Sequence, residues 1–350
     1  MNLPRRLSAL SALLLAACTA VVPAPQPGPG EARRETALRA FLDTLDEAQL
    51  REASAPLDSK DRVDWHYIPR ERPGIHLKDL DPRQRTALNA LLDATLSSQG
   101  HLKVDGIVRL EDVLHDLESK PGAPATHRDP GLYAFRVFGT PGSGPWAWKL
   151  EGHHLSLNFT SDEDGPTRTT PFFVGANPAR IPSGKYAGSR VLAVEEDLGR
   201  EIALALDEHQ LEHARLAGAT PMEVVLAPGV DRNFEHPEGL LLGDLRPDQL
   251  ALVERMLDEF AGNLAPDLEA LARARFRADG LDALRFGWSG GTRVGEPHYW
   301  RIAGSRFAIE YADVDGGANH FHCVWRDFEH DFGADLLREH LATDHAHAGQ

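Results

Sequence analysis

The chain has 350 residues, 42% of them hydrophobic and 26% charged, with 53 acidic against 37 basic side chains and a net charge of -16. That acidity repels nucleic acid and anionic headgroups, which excludes both as partners. Two cysteines, Cys18 and Cys323, are too few for a disulfide framework, so a hydrophobic core must supply the stability.

The first residues read as an address. Arg5 and Arg6 precede an apolar run from Leu7 to Ala16, which ends in Leu15-Ala16-Ala17-Cys18. The run is too short for a permanent span, and small residues before a cysteine match a bacterial lipoprotein signal. Residues 1–17 are therefore expected to be a signal peptide, with Cys18 as the lipidation site. A secretory signal with an incidental Cys18 is the alternative. The Pro/Gly-rich stretch to residue 30 reads as a tether. The expected location is the bacterial cell envelope, with the membrane touched through the lipid anchor only. Without Arg5 and Arg6, 35 basic residues face 53 acidic ones, a net charge of -18.

Beyond the tether, Glu31 to Glu52 has helical spacing through Leu38, Phe41, Leu42 and Leu45. Asp81-Pro82 is a helix start, with Leu88, Leu91, Leu92 and Leu96 on one face and Gly100 as the stop. A third helix is expected over Ile107 to Leu117. Tyr133 to Phe138 then alternates as a strand, Trp146 to Thr160 reads as one long strand, and Thr170 to Val174 as its hairpin partner. Val191 to Ala217, Pro247 to about Asn263 and Pro266 to about Asp279 return to helix. Leu284–Trp288, His298–Ile302, Arg306–Tyr311 and His320–Trp325 follow as short strands at hairpin spacing. A last helix is expected over Ala334 to Ala342. Two groups of strands around a helical block predict an α+β fold, mainly an antiparallel sheet, in a single domain over 31–345.

The chemistry concentrates in His153-His154-Leu155-Ser156-Leu157-Asn158 and Asn319-His320-Phe321-His322. On a strand, His320 and His322 share one face while Phe321, Cys323 and Trp325 take the other. Two imidazoles so placed make half of a metal site, and His154 and Glu310 are the candidates to complete it. Hydrogen-bonded histidines without metal are the competing reading. His153 has the opposite phase and reads as a buried or rim histidine, and Cys323 as a small buried apolar residue. Glu195 or Glu196 would move protons, although acids at a helix start also simply complement its dipole. Arg326 would orient a substrate with Asp327 beside it, unless the two form a structural pair. Arg190, Asn158 and Trp148 are candidate substrate contacts, Trp148 with core packing as the alternative. Patterns for serine hydrolases, zincins and P-loop enzymes are absent.

Several stretches together resemble a bacterial and fungal family catalogued as domain of unknown function 3500. They are Trp146-Ala147-Trp148, Gly152 to Phe159, Pro171 to Pro178, Ala187 to Leu192, Glu195 to Gly199, Pro297 to Ile302, Phe307 to Tyr311, Asn319 to Asp327 and Asp331 to His340. The likeness covers about residues 31 to 345 and implies one family unit, but it carries no reaction. Ala147 stands where a Gly is usual, and Asp313-Val314-Asp315 where an Asn-rich turn is usual.

The residues therefore point to an exported, metal-dependent hydrolase acting on a small molecule, with zinc as the expected divalent ion. Iron or copper in the same ligands would make it an oxidoreductase. A lipoprotein that binds a metal or small ligand without catalysis is the third reading.

Overall fold

The computed structural model describes residues 29–161, 166–230, 234, 237–313 and 317–334. The expected signal, Cys18, the tether as far as residue 28, and the terminal helix beyond Ala334 lie outside these residues. Among the described residues are eight α-helices and an eleven-stranded, mostly antiparallel sheet, so the fold is α+β. No helix among them is long and apolar enough to cross a membrane.

The N-terminal helical stretch divides in two, α1 (Pro29–Leu42) and α2 (Glu47–Ala53). The break is chemical. Asp46 caps α2, accepting from the Gln49 N–H while the Gln49 side chain accepts from the Asp46 N–H. The same Asp-x-x-Gln box starts α3 (Pro82–Thr95) at Asp81, and α6 (Glu208–Ala214) at Asp207. This last box divides the long helix expected over Val191–Ala217, leaving α5 as Ala193–Ala205.

Gly100 does not stop a helix. It lies inside α4 (Ser98–Glu118), which Ser97 caps, and it lets the backbone of Asn263 pack close. Asn263 follows α7 (Pro247–Ala261), and α8 (Pro266–Phe276) comes next.

In the sheet, β1 (Ser54–Ala55) runs parallel to β3 (Ala134–Gly139), and β2 (Ile75–His76) pairs with β3 off the main path. The long strand expected over Trp146–Thr160 is a hairpin, β4 (Trp146–Gly152) and β5 (Leu155–Ser161), with His153 and His154 as its turn. β6 (Phe172–Ala176) pairs with β5 on one side and with β11 (Phe321–Asp327) on the other. β11 continues through β10 (Phe307–Asp313), β9 (His298–Ala303) and β8 (Arg285–Gly290) to β7 (Leu240–Leu241). The β6–β11 pairing joins the two strand groups. It sets His322 opposite Gly175 and brings the hairpin turn to the start of β11.

Strand alternation divides the core between two faces. One face, with Leu155, Leu157, Trp148, Cys323, Trp325, Tyr311 and Trp300, packs under the helices in the main cluster. The other carries Phe173, Val324, Ala312 and Tyr299 under irregular segments that contribute Trp65, Tyr67 and Val224. The candidate site belongs to this loop-covered side.

Candidate metal centre

Three imidazoles converge at the end of the β5–β6–β11 ladder. His154 Nε2 lies 2.9 Å from His320 Nε2, which lies 3.2 Å from His322 Nε2. All three can offer a ligand atom within 4.8 Å of one another, with His154 and His322 buried and His320 partly open.

Each ring is held by its local backbone. His154 has φ 63°, a left-handed conformation that a non-glycine residue adopts at a cost of about 1–3 kcal/mol. Both of its backbone groups are anchored, its N–H donating to Tyr67 O at 2.9 Å and its carbonyl accepting from Gly175 N at 2.8 Å. His154 therefore reaches the site from a turn, not from a strand face as its spacing with Ser156 and Asn158 suggests. Asn319, just before His320, accepts from Ala179 N through its carbonyl and from Arg180 N through its side chain. His322 projects from β11 over Gly175. A Cβ built at 175 would stand 3.0 Å from His322 Cδ2 and 3.1 Å from His154 Cδ2. Gly175→Ala is accordingly expected to push the rings apart, lowering metal affinity about tenfold while the chain stays folded. Chelator competition on the purified variant measures this, and an unchanged affinity would show that the glycine is incidental.

The tautomer of His322 follows from its partner. Its Nδ1 lies 2.8 and 3.0 Å from the two carboxylate oxygens of Glu223, which can only accept. Nδ1 therefore carries the proton, and Nε2 presents a lone pair to the cluster. Burial alone would raise the Glu223 carboxyl, but bonds from His322, the Val224 N–H and Tyr67 outweigh it and hold the group below its ordinary range. Burial, followed by the neighbouring histidines, keeps His154 well below the usual imidazole value, so it is neutral. The Tyr67 ring stacks on Phe173 at 3.9 Å and sets its edge against His322 at 4.8 Å.

This donor set suits one cation. An imidazole nitrogen has a single in-plane position, a proton or a lone pair. A proton on His320 Nε2 makes at most one straight hydrogen bond, leaving its other close contact badly aligned. Three lone pairs around one ion satisfy all contacts. Nitrogens 2.0–2.1 Å from a tetrahedral zinc stand roughly 3.3 Å apart, close to the 2.9 and 3.2 Å of two of the pairs here, with all three atoms within 4.8 Å of one another. Glu223 behind His322 is the carboxylate–histidine arrangement that orients metal ligands.

Other expected participants lie elsewhere. Glu310 shares the strand face of His322 but is not a ligand in this geometry. Its carboxylate accepts from Val225 N at 2.7 Å, Leu226 N at 3.0 Å and Tyr299 OH at 2.7 Å, which anchors the segment carrying Glu223. Burial raises its carboxyl above the ordinary value despite these bonds. Glu195 and Glu196 sit at the start of α5, under the helical face, where Glu195 pairs with Lys103 and Glu196 with Arg190 and Arg200. Both carboxylates are taken up by these cations, and neither joins the three histidines; Glu196 lines a separate cavity with Arg190 and Asn319. Arg326 is spent on Asp331 and the carbonyls of Leu226 and Val230, and Asp327 on Arg275. Each has a structural role, though not as a pair with the other. Arg190 clamps Glu196 and Asp197. Asn158 donates to Ser156 Oγ and Pro171 O. Trp148 is core, stacked on Phe135 and Phe159. Cys323 is buried on the opposite face, as its alternation with His322 predicts.

His153 stands behind the site, its Nδ1 2.5 Å from Glu111 Oε1 and its ring 3.7 Å from that of His154. Glu223, Tyr67 and Gly175 were not legible as site residues. Glu223 lies in a segment without periodicity, and its partner is 99 positions away.

The family model described as protein of unknown function (DUF3500) matches residues 31–334, and the chain belongs to that family. No curated protein and no solved structure matches it.

Proposed function

We propose that this member of the DUF3500 family is a metal-dependent hydrolase of small molecules. The reading rests on one observation: three imidazole nitrogens meet within ligand distance, one with its tautomer set by Glu223. His154, His320 and His322 would hold the ion, and a bound divalent cation, zinc first, supplies Lewis-acid activation of water or a carbonyl. Glu223 keeps the His322 Nε2 lone pair directed inward, Tyr67 shields that ring from water, and the partly open His320 side is where a substrate approaches. The signal-like N-terminus supports an exported, lipid-anchored protein in the bacterial envelope, tethered through Cys18.

Non-catalytic metal binding is the second reading, favoured by the engagement of Glu195, Glu196, Arg326 and Asp327 in ion pairs of their own. Copper or iron in place of zinc would instead favour redox chemistry.

Elemental analysis of natively purified protein tests the centre. About one divalent ion per chain is expected, and His320→Ala, which alters only the partly exposed ligand, should lose it while remaining folded. An ion-free native chain, or full retention by the variant, would remove the basis for the reading. Hydrolysis of small esters by the loaded protein but not by the variant separates an enzyme from a binder.

A further inference from the structure

Two chain segments run directly from the histidine cluster to a cavity of about 290 Å³, at the small end of ligand pockets. In one, Tyr67 touches His322 and receives the His154 N–H, and Pro69 to Arg72 just beyond it line the cavity. In the other, the two turn residues divide the work: His154 faces the cluster and His153, packed against it, forms cavity wall. Arg72 joins the segments by donating to Ile68 O at 2.6 Å and Gly152 O at 3.1 Å.

What the cavity can bind follows from which of its polar groups are already used. Arg72 spends its Nη groups on the carbonyls of His66, Ile68, Arg70 and Gly152, and its remaining Nε is sealed from solvent. Arg70 donates to Asp64. Asp64 thus offsets the Arg70 charge, and four carbonyls take up the Arg72 Nη groups, leaving its Nε without a partner. The acceptors are less committed. Glu111 uses Oε1 on His153, and Asp129 uses Oδ1 on Gly131 N. Their second oxygens make no hydrogen bond among the described residues, and Glu71 is exposed at the rim. Pro69, Leu132 and Tyr133 supply apolar walls. Unspent carboxylate oxygens beside an aromatic ring suit an organic cation.

We propose that this cavity is the recognition pocket of the metal centre and takes an ammonium or guanidinium group on a compact apolar body. The assignment of a substrate rests on the hydrolase reading. The existence of a cation site does not.

The full-length protein is titrated by calorimetry with benzylamine, benzoate and benzyl alcohol. Benzylamine should bind at least tenfold tighter than the other two. Glu111→Gln should weaken it about tenfold or more, the worth of a charge-assisted hydrogen bond. Leu132→Trp, which fills the cavity from its apolar wall, should abolish binding. Benzoate binding as tightly as benzylamine, or benzylamine binding unaffected by Leu132→Trp, overturns the proposal. Two further measurements separate it from the metal reading. His320→Ala should keep benzylamine binding even with no ion, so loss of metal alone leaves the cavity assignment standing. In cobalt-loaded wild-type protein, saturating benzylamine should shift the visible spectrum through the His153–His154 contact. An unchanged spectrum with binding intact would disconnect the cavity from the centre.

Discussion

Lys103→Met is expected to lower the unfolding free energy by about 3–5 kcal/mol. Lys103 on α4 lies 2.6 Å from both Glu195 Oε1 on α5 and Glu259 Oε1 on α7, so one ammonium joins three helices. The Glu195 side chain is 1% exposed and its Oε2 has no hydrogen-bond partner, which leaves it dependent on that ammonium. Removing the cation strands buried negative charge, whereas removing both sides should restore most of the loss. Lys103→Met/Glu195→Gln should therefore recover much of the stability in denaturant titrations. Burial would lower the Lys103 value, but the two carboxylates prevail and raise it above 10.5. A raised lysine contributes fully below its unfolded value and loses that contribution as pH climbs through the folded one. The wild-type advantage over Lys103→Met should thus be constant through neutral pH and shrink in strongly alkaline solution. Metal content per folded chain should not change, because none of this triad joins the three histidines. A cost below about 1 kcal/mol would mean that the triad behaves like a surface pair.

The second large effect is expected at Glu223. Replacing a carboxylate that orients a metal-bound histidine usually costs about 10–100-fold in metal affinity. Glu223→Gln retains the shape but gives up the charge that supports the His322 Nδ1 proton and makes Nε2 a better donor. Glu223→Ala also frees the ring to rotate against Tyr67. A chelator-competition titration should show both weakened, Ala more than Gln. Because the Glu223 side chain is 39% exposed, folding should survive in each case. An affinity within twofold of wild type for Glu223→Ala would show that the His322 tautomer does not depend on this residue.

The two sites differ in how far local pattern exposes them. The HxH pair is visible because alternation on a strand is a local rule, whereas His154 reaches the site from a turn. The joining of the two strand groups, which carries His154 to His320 across 166 positions, is a matter of sheet order. The same limit explains the misplaced acids. Glu195 and Glu196 look like catalytic carboxylates in a polar run, yet the helix they begin packs on the apolar side of the sheet. Glu310 has the strand phase expected of a ligand and still serves the backbone of the 225–226 segment. Phase says which face a side chain takes but not what arrives there to meet it. The break between β4 and β5 was hidden for a related reason: His153-His154 carries no Gly or Asn to announce a turn, and the left-handed residue is held by donating to Tyr67 O and accepting from Gly175 N.

By itself the sequence determined the α+β class, the helix starts at Pro82, Pro247 and Pro266, the burial of Cys323 and the imidazoles available as ligands. These depend on contacts within a few residues, where periodicity and capping chemistry decide. Only the tertiary structure decided that Glu223, Tyr67 and Gly175 adjoin the three histidines while Glu195, Arg326 and Trp148 meet other partners. Those assignments depend on which distant segments the β6–β11 pairing and the covering loops bring together, and chain spacing carries no information about that.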